Sequence, residues 1–150
     1  MNYLINNVLI ASDHAGFDLK ASLMQHLQQT DIKIENLGTD SQESVDYPDI
    51  AYQLCRAMHD IPQCFGILIC GSGIGMSIAA NRFDYIRASL CYSIESAELA
   101  RKHNNANVLV LGSRSTDDIS ATKIMDTFLS TPFDAGRHIK RVEKLSLNMM

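Results

Sequence analysis

The sequence predicts an α/β domain of Rossmann-like type, a three-layer sandwich built on a five-stranded parallel sheet. Three observations carry this. Short runs of branched apolar residues recur along the chain and read as buried strands. Longer stretches with helical spacing separate them, and such crossovers are what parallel neighbours require. Finally, "GILICGSGIGMSIAAN" at 66–81 drives an apolar run straight into a glycine-rich turn and out into a helical stretch.

Val8-Leu9-Ile10-Ala11 is the first predicted strand. A helix over 16–29 follows, because Leu19, Leu23 and Leu27 recur at four-residue spacing with Met24 beside them. Residues 32–37 alternate apolar and polar, as in a strand buried on one face. Pro48 opens the next helix, since proline suits a first turn. The third strand is 66–70 and a helix starts at about 75; a fourth strand covers 86–91 and a helix 95–103. Val108-Leu109-Val110-Leu111 forms the fifth strand, and helices over 117–129 and 138–146 complete the pattern.

With 150 residues, no repeat and no linker, the chain reads as one domain, 1–150, large enough for its own core. Its 46% apolar and 20% charged residues are ordinary for a globular protein. No apolar run reaches the roughly 20 residues needed to span a bilayer, and the N-terminus lacks the features of a signal peptide. A cytoplasmic location is expected. The net charge of −4 argues against nucleic acid as a partner, which needs a basic surface. One basic cluster stands out, "GRHIKRVEK" at 136–144, and suits a small anionic ligand. The four cysteines have no metal-finger spacing and are expected to be free thiols, with Cys55, Cys64 and Cys91 as packing groups. His26 and His59 are expected on helix surfaces.

In open parallel sheets, ligands bind beyond the carboxyl ends of the strands. The predicted strand ends carry Ser12-Asp13-His14-Ala15-Gly16, then Gly38-Thr39-Asp40 with Asp46-Tyr47-Pro48 further on, then Cys70-Gly71-Ser72-Gly73-Ile74-Gly75, and last Gly112-Ser113-Arg114. The glycine turn is not a dinucleotide fingerprint, since Met76 stands where the third glycine belongs, and no G-K-[ST] follows. Three alternate glycines do leave backbone N–H groups open to an anion at a helix start. A thiol at such a place is stabilised as thiolate, so Cys70 could act as nucleophile or general base beside an oxyanion. Asp13 could equally be a helix cap. His103 and Asn104 close a helix, where a histidine can simply meet the dipole. Arg137 and Arg141 are four residues apart and can grip one phosphate or form a solvated face.

Taken together, "SDHAGFDLK" at 12–20, "DYPDIA" at 46–51, "GILICGSGIGMSIAAN" at 66–81, "HNNANVLVLGSR" at 103–114 and "GRHIKRVEKL" at 136–145 closely resemble, in order, the motifs of the family of ribose-5-phosphate isomerase B and galactose-6-phosphate isomerase. The resemblance covers nearly the whole chain. It implies a cofactor-free and metal-free aldose–ketose isomerase that interconverts ribose 5-phosphate and ribulose 5-phosphate through a cis-enediolate, in the pentose phosphate pathway. It implies that His103 opens the sugar ring and that Cys70 takes the C2 proton. Ser72 and the backbone of Gly71, Ser72, Gly73, Ile74 and Gly75 would hold the developing charge. Asp13, His14, Tyr47, Asn104, Arg114, Arg137 and Arg141 would bind the sugar phosphate. Another branch of the family uses a glutamate just past the turn, where this chain has Met76. The resemblance further implies a homodimer or homotetramer with sites between subunits. The same chemistry on a six-carbon sugar phosphate such as allose 6-phosphate or galactose 6-phosphate is the nearest alternative. A non-catalytic module that binds phosphorylated ligands is the alternative of another class.

Overall fold

The computed structural model describes residues 3–146. Five strands, all parallel, form one sheet: β1 (Asn7–Ser12), β2 (Lys33–Asn36), β3 (Cys64–Cys70), β4 (Ala88–Leu90) and β5 (Val108–Gly112), in the order β2-β1-β3-β5-β4. The helices are α1 (Phe17–Leu27), α2 (Tyr47–Asp60), α3 (Ile74–Ala80), α4 (Ile94–Asn104), α5 (Asp118–Ser130) and α6 (Ile139–Leu145). This is the Rossmann-like α/β architecture that the alternation of runs predicts.

Two apolar layers hold it together. One packs Leu19, Leu23 and Leu27 of α1, Ala97 and Ala100 of α4, and Ile124, Met125, Phe128 and Leu129 of α5 against one face of the sheet. The other packs Leu54, Cys55 and Met58 of α2 and Met76, Ala79 and Ala80 of α3 against the opposite face. The central strand β3 sends Ile67 and Ile69 into the first layer and Leu68 and Cys70 into the second. All seven of its residues are buried, and each large aliphatic side chain so buried contributes about 1.5–3 kcal/mol.

The edges of the sheet differ from expectation in small ways that have local causes. Strand β4 is shorter than the predicted 86–91: the Arg87 N–H donates to Asn107 Oδ1 at 2.7 Å, outside the sheet ladder. The Asn81 side chain, closing α3, then brackets Ala88 by bonding both its N–H and its C=O, each at 2.9 Å. Strand β3 starts two residues earlier than predicted and takes in Cys64 and Phe65. Strand β2 is an edge strand, mostly exposed, with Ile34 and the preceding Ile32 half-buried on one face as their alternation requires. Pro48 lies in the first turn of α2, as predicted.

Helix α6 is the exception to the layering. None of its residues is buried. It is reached through the turn Gly136–His138, which Arg101 ties to the body of the fold. That guanidinium, 4% exposed, lies over the Phe65 ring at 4.5 Å and donates from Nε to Thr131 O at 3.2 Å and from Nη1 to Asn105 Oδ1 at 3.0 Å and Ala106 O. Burial, with Arg87 nearby, pulls its pKa down to about 10. Among the described residues no helix is long and apolar enough to cross a membrane.

Candidate active site

At the carboxyl edge of the sheet the loops after β1, β3 and β5 lock together through the backbone. The Asp13 N–H donates to Ile69 O at 3.1 Å, the Ser113 N–H to Cys70 O at 2.9 Å and the Arg114 N–H to Gly71 O at 3.0 Å. Ser113 Oγ reaches back to Ala15 O at 2.8 Å. The β3 turn is thus clamped from both sides by the chain's own backbone.

Cys70 ends β3, 4% exposed, and the Gly73 N–H donates to its Sγ at 3.1 Å. That bond exists because Gly73 adopts φ +78°, a left-handed conformation that suits glycine and turns its N–H back toward the strand end. An added Cβ there would also lie 2.4 Å from Leu90 Cδ1 and 3.1 Å from Leu111 C. Ser72 is exposed, and its Oγ accepts from the Ile74 N–H at 3.2 Å, so its hydroxyl hydrogen stays free to donate outward. The other three thiols are also buried and free, and burial pushes each pKa up, to about 12 for Cys55. They pack, as their positions predict.

Around this turn stand the other groups predicted at the strand ends. Asp13 caps the short turn His14–Gly16, its Oδ1 accepting from the Gly16 N–H at 3.1 Å. The capping reading is therefore correct, and the carboxylate keeps a second oxygen for other partners. His14 is half-buried, and its Nδ1 accepts from the Val45 N–H at 3.2 Å, which puts the neutral ring's proton on Nε2. The guanidinium of Arg114 lies against the Gly71 backbone and the Tyr47 ring against Gly75. A Cβ on Gly75 would lie 2.5 Å from two Tyr47 ring carbons. Gly75→Ala is therefore expected to push Tyr47 off the turn and raise KM several-fold with a smaller change in kcat. Steady-state kinetics checks it.

His103, Asn104, Arg137 and Arg141 are elsewhere. Helix α4 follows β4 and runs back across the sheet, so its last residues stand at the amino edge, next to the start of β5 at Val108. Val108 pairs with Gly66, four residues before Cys70, so the two edges are about 13 Å apart along the strands. The turn before α6 is bound to that same far end, the Asp134 N–H donating to Lys102 O at 3.1 Å. The candidates thus form two groups at opposite edges of one chain: Cys70, Ser72, Asp13, His14, Tyr47 and Arg114 with the glycine turn, and His103, Asn104, Arg137 and Arg141.

Two residues of the second group were missed in the sequence. His138 stacks on His103, with ring centroids 4.5 Å apart and planes within 10°. Arg101 anchors the arm, although in "ARKHNN" it reads as an ordinary basic residue near a helix end. His26, expected on a helix surface, is half-buried with Nε2 3.0 Å from Asp126 Oδ1, and exposed His59 lies beside Asp60. Among the described residues no cluster of three or more His, Cys, Asp or Glu is placed to hold a metal ion.

The carboxyl edge of this parallel sheet thus brings together a thiol, a glycine turn and an aspartate, without a nucleotide fingerprint. The sequence matches the ribose/galactose isomerase family over residues 8–145. It is 41% identical over 142 residues to ribose-5-phosphate isomerase B of Escherichia coli strain K12, covering 95% of each chain. It is 39% identical over 140 residues to D-erythrulose-4-phosphate isomerase of Pectobacterium atrosepticum, covering 93% of this chain and 92% of that one. The crystal structure of a ribose 5-phosphate isomerase from Thermotoga maritima superposes with a TM-score of 0.92 at 50% identity, over 96% of this chain and 99% of the other. The chain belongs to the ribose/galactose isomerase family, with the ribose-5-phosphate isomerase B proteins, and is an isomerase.

Proposed function

We propose that the protein interconverts ribose 5-phosphate and ribulose 5-phosphate by proton transfer through a cis-enediolate. The observation that supports this most is the contact of Cys70 Sγ with the Gly73 N–H, which sets a base at the mouth of an oxyanion-binding turn. The aldehyde form binds with C2 facing Cys70. The thiolate takes the C2 proton, and the electron pair moves onto the C1 carbonyl oxygen. The backbone of the Gly71–Gly75 turn, through the N–H groups not taken by Cys70 Sγ and Ser72 Oγ, and the Ser72 hydroxyl hold the resulting enediolate. Return of a proton to C1, with the proton of O2 passing to O1, completes the ketose. His103 opens the furanose ring beforehand, taking the proton of the C1 hydroxyl and returning one to the ring oxygen. Asp13, His14, Tyr47 and Asn104 hold the sugar hydroxyls. Arg114, Arg137 and Arg141 bind the phosphate.

This chemistry needs both groups of residues at one substrate, and one chain holds them at opposite edges of its sheet. The working unit is therefore an oligomer, a dimer or an assembly of dimers, in which one copy supplies the Cys70 turn and another the His103 arm. Exposed Ile74, Ile78, Tyr92 and Ile94, along α3 and at the start of α4, provide apolar surface for such contacts. Four free thiols accord with a cytoplasmic location.

The test is ribulose 5-phosphate formation from ribose 5-phosphate by the purified protein in excess chelator, ranked by kcat/KM against allose 6-phosphate, galactose 6-phosphate and erythrose 4-phosphate. Ribose 5-phosphate is expected to lead. A preference for another sugar would move the substrate and keep the chemistry. Phosphate-sugar binding with no turnover on any of them would make the chain a binding module.

A further inference from the structure

His138 is buried, 9% exposed, and no step above uses it. Its ring lies face to face with that of His103, and the two come from separate elements. His103 is on the last turn of α4, and His138 ends the short turn Gly136–His138. The backbone bond from Asp134 to Lys102, the Arg101 bond to Thr131 and the His138 N–H to Ala135 O at 3.0 Å fix the segment that carries the second ring. The stack is a built contact between anchored pieces. An imidazole on the last turn of a helix otherwise turns over a broad range about its second side-chain torsion. A flat ring packed on its face removes that freedom.

We propose that His138 is a positioning residue for His103, its ring holding the His103 imidazole in the one plane from which it can exchange a proton with the sugar's ring oxygen. The proposal rests on the reading of His103 as the ring-opening group. The charges around the pair support it. Burial first, then His103, Arg137 and Arg141, press the His138 pKa below the usual histidine value, and Asp134 opposes them. Lys102, the residue before His103, is paired with Glu98. These influences favour the neutral His138 ring, which can then lie against His103 as its support without adding charge.

Ring opening can be separated from enolisation by choice of substrate. In ribulose 5-phosphate the oxygen that would close a five-membered ring carries the phosphate, so deuterium uptake from D₂O at its C1 reports enolisation alone. We expect His138→Ala to lower kcat on ribose 5-phosphate about ten- to a hundredfold, to leave KM nearly unchanged, and to keep C1 deuterium uptake within about threefold of wild type. His138→Phe, which restores a flat ring, should recover most of the turnover. The proposal is overturned if deuterium uptake falls in step with turnover, if His138→Phe is no better than His138→Ala, or if both match wild type. His103→Asn is run alongside. Wild-type turnover in that variant removes the ring-opening reading itself, whatever the His138 variants do.

Discussion

Replacing Cys70 with alanine is expected to lower kcat by about 10³-fold, within the range a positioned general base contributes, and to leave KM within a few-fold of wild type. The phosphate and hydroxyl contacts lie on other residues, so binding survives the loss of the thiol. Nothing nearby can take its place: the residue just past the turn is Met76, fully buried in the second apolar layer, and Ser72 offers only a hydroxyl. Cys70→Ser should be nearly as slow, because an alcohol is a far weaker acid than a thiol and is almost never ionised near neutral pH. Cys55→Ala is the control. Its thiol is buried with a pKa raised to about 12, so its loss should cost some stability and leave kcat in place. Steady-state kinetics on the three variants, with circular dichroism to confirm folding, is the measurement. Turnover near wild type in Cys70→Ala would refute the assignment of the base.

Mixing two inactive variants is expected to restore activity. In the proposed two-fold dimer each site would take the Cys70 turn from one copy and the His103 arm from the other. When Cys70→Ala protein is unfolded and refolded with an equal amount of His103→Asn protein, about half of the dimers are hybrids. In a hybrid, one site combines both lesions and the other combines neither. Random reassortment should therefore give about a quarter of wild-type specific activity, from parents that each have about 1% or less. If both groups instead served a site within one chain, every site would carry a lesion and mixing would restore nothing. The outcome separates the two architectures without a structure of the assembly.

The fold was legible because its signals are local. Branched runs that end in glycine or aspartate mark strands leaving the core, and Leu19, Leu23 and Leu27 mark a helix face; both survive in the structure. The turn around Cys70 was equally readable, since strand, glycines and helix are contiguous in sequence. Reading the site as one cluster required more. His103 closes a helix that leads into a strand, which places it at the amino edge, but its motif says nothing of direction. The stack of His138 on His103 was not visible at all. It depends on how residues 131–138 fold back onto α4, and that is decided by the buried guanidinium of Arg101 bonding Thr131 O and Ala106 O. The start of β4 was placed too early for a similar reason. Ile86 and Arg87 have the right composition for a strand, but Asn107 claims the N–H of Arg87.

A terminal helix that buries none of its residues in its own chain also bears on how this scaffold could alter its preferences. The reach from phosphate to reacting carbon grows with each carbon of the sugar. On the proposed reading, Arg114 fixes one side of that reach beside the Cys70 turn, and Arg137 and Arg141 fix the other from the arm, so it depends on how copies dock and how far the arm extends. On the same reading, lengthening or shortening the arm would move the Arg137 and Arg141 contacts and leave the Cys70 turn untouched. The names ribose, galactose and erythrulose occur among this family and its relatives, and on the proposed reading the arm would be a place where sugar length is retuned without refolding the domain.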